Sequence, residues 1–208
     1  MQFYQEITLV SNEIPFFKLW SKVMTQLHIA LADIKNKHGI KTIGISFPNY
    51  RYEQKNGKTL ASLGDKVRIF AQSEDDLDKL ALPLWLARLI DYVHLTTIKP
   101  VGDKATGYLV VRRYRHKNRH TIIKNYANYH NVSYDDAKKA CEQYQPKPID
   151  YPFISLNSVH SDNPFTMFIK QTATDTPNIG EFNTYGTNNM TTASTCLLYT
   201  SPSPRDLS

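Results

Sequence analysis

PFFKLWSKVMTQLHIALADIKNKHG, residues 15–39, decides how the chain is read. Phe16, Trp20, Val23, Leu27, Leu31 and Ile34 recur at spacings of three and four, which aligns them on one face of an α-helix. Pro15 suits a helix start, where its missing N–H costs nothing. Gly39 suits the left-handed residue that ends a helix. The stretch before it, QFYQEITLV (residues 2–10), is β-prone with partial alternation and predicts a strand. The stretch after it, Thr42–Phe47, predicts another, ended by Pro48.

Working outward, residues 49–64 form a polar connection with Asn56-Gly57 as a turn signal. Lys66–Ala71 alternates as a strand. Ser73 then caps a short helix, with Asp76 three residues on in capping-box spacing. A helical piece covers 84–90, and 92–99 reads as a strand up to Pro100. The order β-α-β-β-α-β predicts a ferredoxin-like domain over residues 1–100. That architecture hosts many functions and by itself decides little.

A second unit, 101–186, follows at a shift in composition. It predicts a strand at 107–113, a basic helix at 117–130 and a helix begun by Ser133 and ended by Pro146. Short strands are expected at 152–157, 165–171 and 181–185. The fold class is therefore α+β, a ferredoxin-like amino-terminal half followed by a basic, smaller α/β carboxyl-terminal half. Residues 187–208 are rich in Thr, Asn and Ser and predict a disordered tail. From Cys196 to Asp206 they resemble translated adaptor sequence, and the tail is expected to replace a natural terminus.

Between Lys104 and Tyr134 stand seven lysines and arginines and no acidic residue. Arg112, Arg113, Arg115, Lys117, Arg119 and Lys124 fall within thirteen positions, threaded with Tyr108, Tyr114, Tyr126 and Tyr129 and with His116, His120 and His130. Surfaces kept soluble by charge usually mix both signs. A cationic stretch interleaved with rings suits a polyanion that also offers flat bases, which is nucleic acid. The formal charge of +6 and pI near 9.2 agree.

Two cysteines, Cys141 and Cys196, give neither a disulfide framework nor a cysteine metal site. No apolar run is long enough to cross a membrane, and the amino terminus lacks the regions of a signal peptide, so a cytoplasmic location is expected. His116 and His120 are one helical turn apart, with no Cys, Asp or Glu nearby to complete a metal site. No phosphate-cradling glycine loop or Gly-x-Ser-x-Gly elbow occurs, and no cofactor is expected.

One chemistry remains open. RNA carries its own nucleophile, the 2′-hydroxyl beside each phosphate. An enzyme using it needs a base near neutral pKa, groups that align the hydroxyl, and donors for developing charge. His28 sits at the edge of the helical stripe, where a histidine can serve as that base or simply pack.

Several segments carry a resemblance. They are Gln26–Leu31, Ile43–Pro48, Leu63–Ile69 and Ser73–Leu77. In the second half they are His130–Ser133, Pro152–Ser158, Phe165–Lys170 and Phe182–Gly186. In order and together they resemble the Csy-type CRISPR repeat endoribonucleases of subtype I-F, members of the sixth Cas protein family. The resemblance spans roughly residues 1–186. It implies binding of a CRISPR repeat hairpin, metal-independent cutting at the 3′ base of the stem with a cyclic phosphate left behind, and retention within a surveillance complex of other subunits. It puts the catalytic histidine at His28, the active-site serine at Ser158, the active-site tyrosine at Tyr185 and the stacking aromatic at Phe165.

The basic residues depart from that pattern. The helix expected to enter the RNA groove, His120–Tyr129, has one strong cation, Lys124, and the charge has moved forward to Arg112, Arg113, Arg115, Lys117 and Arg119. Arg112 falls where the family reads a guanine, and Tyr114 replaces the neighbouring glutamine reader. The expected activity is a metal-independent CRISPR RNA endoribonuclease. The alternatives are a non-catalytic hairpin-binding subunit, or a ferredoxin-like structural protein whose basic run meets acidic protein surfaces.

Overall fold

Strand β1 (Phe3–Leu9) lies inside an antiparallel sheet and is paired along its length with β5 (Lys66–Ala71). β2 (Gly44–Ser46) adds to the far side of β5, and β6 (Val93–Leu95) adds to β1, giving the order β2-β5-β1-β6. A two-residue strand, β7 (Lys99–Pro100), pairs with the start of β1. In this computed structural model, the described residues are all except 12, 103–104, 116–117, 146–148, 159–160, 162, 179, 189–196 and 201–208; side chains at 105–106 and 197–200 are also left aside.

The sheet's helices are α1 (Phe16–His38), α2 (Glu74–Leu80) and α3 (Leu82–Trp85), the last followed by a 3-10 turn at Ala87–Leu89. α1 ends as the sequence predicts, with Gly39 at φ 70° and its N–H on the Lys35 carbonyl. The stripe at Trp20, Val23, Leu27, Leu31 and Ile34 is buried, whereas Phe16 is exposed. Ser73 caps α2 by accepting from the Asp76 N–H, again as predicted. On β1, Glu6 is buried with its charge met across the strands by Arg68 at 2.5 Å and Lys66 at 3.3 Å.

A second sheet has the order β11-β8-β10-β9, from β8 (Ala105–Tyr114), β9 (Phe153–Asn157), β10 (Pro164–Thr174) and β11 (Leu197–Thr200). Ile154 and Leu156 on β9, with Met167 and Ile169 on β10, alternate inward and join the same apolar core as α1. Two side chains tie β10 to the end of β2. The Gln171 amide exchanges two hydrogen bonds with the Phe47 backbone, at 3.0 and 3.1 Å. The Tyr50 hydroxyl, its pKa raised by burial, donates to the Ile169 carbonyl.

Contacts divide the chain into Met1–Arg113 with Tyr151–Ser208, and Tyr114–Asp150. The expected division at residue 100 differs, because Val111, Ile154 and Met167 share the core of the first sheet's helices. The smaller unit is a helix pair, α4 (Arg119–His130) and α5 (Tyr134–Ala140). Asn118 and Ser133 cap their starts, and Ile123, Ala137 and Cys141 form its small core.

Four expectations are corrected. Residues 49–64 hold a β-hairpin, β3 (Arg51–Lys55) and β4 (Lys58–Ser62), turned by Asn56 and Gly57 at φ 52° and 72°. Both positive dihedrals are what a tight two-residue hairpin turn demands. The segment 181–185 is a turn with a single bridge at Phe182. The second helix of the small unit stops at Ala140, short of Pro146. Structure also continues past Gly186: Thr187 and Asn188 are buried, Asn188 hydrogen-bonds to Val111, and β11 pairs with β8. No helix among the described residues is long and apolar enough to cross a membrane.

Candidate functional site

Asn183 shapes the segment on which the site depends. Its side-chain oxygen accepts from the Tyr185 N–H at 2.8 Å and the Thr187 N–H at 3.4 Å, and its amide donates to the Thr187 hydroxyl at 2.8 Å. Such a side chain substitutes for backbone partners and closes a turn without any strand. The turn is docked on both flanks. Ile45 of β2 donates its N–H to the Gly186 carbonyl, and Asn188 donates its own to the Val111 carbonyl on β8. Gly186 sits at φ 70°, where an added Cβ would lie 2.6 Å from Ile45 Cγ2. Only glycine fits.

This turn delivers two groups to His28, which is half-buried on α1. The Thr184 carbonyl lies 2.9 Å from His28 Nδ1. A carbonyl can only accept, so Nδ1 carries the proton and donates it, and Nε2 of the neutral imidazole keeps its lone pair. The Tyr185 ring lies flat on the imidazole, 4.0 Å between centroids and 4° from parallel. Phe165 meets Tyr185 edge-on at 6.4 Å, and the Arg113 guanidinium covers Phe165 at 4.7 Å. Three elements and a turn thus line up Arg113, Phe165, Tyr185 and His28.

Ser158 stands at the end of β9, its N–H bonded to the Asn163 carbonyl at 2.9 Å. It lines a cleft of about 620 Å³ whose other walls include Thr25 and Gln26, the α1 turn before His28. Of the two neighbouring arginines on β8, Arg113 shares a strand face with buried Val111 and reaches the ring line. Arg112 is on the opposite face and is exposed. Arg115, Arg119, His120 and Lys124 are exposed residues of the smaller unit, as is Tyr114. Arg119 donates to the Glu142 carbonyl at 3.3 Å, and His120 pairs with the Tyr134 hydroxyl at 2.9 Å. His116 and Lys117 lie outside the described residues.

Sequence reasoning missed Thr184 and Asn183, which act through a main-chain oxygen and a side-chain turn. An Asn two residues before Tyr185 was the available signal, since Asn favours such turns. It also missed the part of Arg113, which strand parity with Val111 would have revealed.

A family profile described as CRISPR-associated protein (Cas_Csy4) matches residues 4–195. The CRISPR-associated endonuclease Cas6/Csy4 of Pseudomonas aeruginosa (strain UCBPP-PA14) is 31% identical over 190 residues, 89% of this chain and 95% of that protein. Among solved structures, "An RAMP protein binding different RNA substrates" aligns over 96% of this chain and 100% of its own at 10% identity and a TM-score of 0.36. "CRISPR associated protein Cas6" aligns over 96% and 99% at 12% identity and a TM-score of 0.34. Superpositions that loose carry no argument.

Proposed function

The chain belongs to the CRISPR-associated Csy4 family, and from that premise we propose how it acts as a CRISPR RNA-processing endoribonuclease. It binds the hairpin of the repeat transcript and cuts at the 3′ base of the stem without a metal ion. The first layer is ferredoxin-like, a reading supported by the strand order β2-β5-β1-β6 with α1 and α2 in the two crossovers. Residues 101–186 supply most of the hairpin grip, through Arg112, Arg113, Tyr114, Arg115, Lys117, Arg119, His120 and Lys124. Other subunits of a surveillance complex hold the product with it, and the protein works in the cytoplasm.

The hydrogen bond from His28 Nδ1 to the Thr184 carbonyl carries the reading of mechanism. With Nδ1 committed, Nε2 takes the proton of the 2′-hydroxyl. That oxygen attacks the adjacent phosphorus, the bond from phosphorus to the 5′-oxygen breaks, and a 2′,3′-cyclic phosphate remains. The departing 5′-oxygen takes a proton and leaves as a hydroxyl. Tyr185 holds the imidazole plane, Ser158 places the ribose, and Phe165 stacks at the stem base. Holding the base in register is the larger share of the work, because a misplacement of about 1 Å can cost about 10²-fold.

Single-turnover cleavage of the repeat hairpin tests the reading. The rate should be unchanged in excess EDTA and abolished by a 2′-deoxy substitution before the scissile phosphate. His28→Ala should cut about 10²- to 10⁴-fold more slowly while binding the hairpin within a few-fold of the parent. Near-parental cutting by His28→Ala overturns the assignment. Tight binding with no cutting under any condition would instead favour a hairpin-binding subunit.

A further inference from the structure

The cleft beyond Ser158 has a composition that the cut itself does not use. Lys22 on α1 and Arg88 on the 3-10 turn reach it from two separate elements, and no carboxylate lines it among the described residues. Neither cation makes an ion pair among the described residues. Gln26 and Asn157 bring side-chain amides that can donate and accept in one plane, as base edges do, while Leu89 gives an apolar wall. A volume of about 620 Å³ falls within the roughly 300–1,000 Å³ typical of pockets that enclose a small ligand.

We propose that this cleft is a subsite for the single-stranded nucleotide on the 3′ side of the scissile phosphate, with Lys22 and Arg88 on its phosphate and Gln26 and Asn157 on its base. The proposal rests on the nuclease reading above. The stem lies on the 5′ side of the cut. Ser158, which places the ribose at the cut, is itself a wall of the cleft, so the chain leaving the stem passes directly into it. The α1 residues that line it, Ser21, Lys22, Thr25 and Gln26, run along the helix toward His28. The same strand that presents its 2′-hydroxyl to His28 Nε2 therefore has its next phosphate within a cationic cleft, which helps hold attacking and leaving oxygens in line. After the cut this nucleotide belongs to the departing fragment, so the subsite favours substrate over product.

Two RNAs separate this from general attraction to cations. The first is the hairpin ending at the cut; the second extends it by three nucleotides and carries a 2′-deoxy residue before the scissile phosphate, so it cannot be cleaved. The parent should bind the extended RNA more tightly. Lys22→Ala/Arg88→Ala should lose about tenfold on the extended RNA and nothing on the short one, which also reports that the double variant is folded. Its log–log salt slope on the extended RNA should fall by about 0.7 for each single-strand phosphate released. Equal losses on both RNAs, or no loss on the extended one, overturn the subsite. If the parent fails to bind the short hairpin, the hairpin reading itself fails and the subsite with it.

Discussion

Tyr185 lies flat against His28, with ring centroids 4.0 Å apart and planes 4° from parallel. The contact is face to face, and the opposite constraint comes from the Nδ1 hydrogen bond to the Thr184 carbonyl, one residue earlier in the chain. Consecutive residues thus fix both the plane and the tautomer of one imidazole.

The plane is expected to matter more than the phenol hydroxyl. Tyr185→Phe keeps the stacked ring and should cut within a few-fold of the parent. Tyr185→Leu removes the flat face and should cut about 10²-fold more slowly in single-turnover assays, with hairpin affinity little changed. Equal loss in both variants would transfer the role to the hydroxyl.

Asn183 should be required for that geometry although its side chain bonds to the turn itself and not to His28. Asn183→Ala removes the acceptor of the Tyr185 N–H and the donor to the Thr187 hydroxyl, at a cost of about 1–3 kcal/mol in unfolding free energy. Cleavage should fall by more than the stability loss explains at a temperature where the variant is fully folded. Asn183→Asp keeps the accepting oxygen and should recover much of the rate.

Gly186→Ala is expected to be among the more damaging single-methyl changes. A non-glycine residue in the left-handed region costs roughly 1–2 kcal/mol. The methyl also meets Ile45 Cγ2 at 2.6 Å. Denaturant melts should show a loss of more than about 2 kcal/mol, and surviving protein should cut slowly because the turn has shifted off His28.

Exposed Arg119 and Lys124 should act on RNA through phosphates alone. Their alanine variants should weaken all hairpins alike and lower the log–log salt slope by roughly 0.7–0.9 each. Arg112→Ala should instead relax discrimination near the stem base, by about 1–3 kcal/mol. Competition binding with matched and mismatched stems distinguishes the two behaviours.

What the sequence disclosed follows from where burial imposes a period. α1 was legible because its stripe is buried over several turns, and β9 and β10 because Ile154, Leu156, Met167 and Ile169 alternate. The β3–β4 hairpin was not, since nearly all its residues are exposed and no apolar alternation marks it; only its Asn-Gly turn showed. The residues around Tyr185 look like a strand by composition, but Asn183 and Asn188 hold them by side-chain bonds that no hydrophobic period records. His28 and Tyr185 could be named by resemblance. That Thr184 completes them could not, because a main-chain carbonyl has no signature in sequence.

His28 and Thr184 stand 156 residues apart along the chain. During synthesis the histidine leaves the ribosome early and the carbonyl that orients it emerges late. Until then the imidazole is free to rotate and to exchange its proton between both nitrogens. On the proposed role of His28, a nascent chain carries its base in an uncommitted form while it is still tethered to messenger RNA, itself a strand of scissile 2′-hydroxyls. On the same reading, competence awaits the turn at Asn183, which docks between β2 and β8.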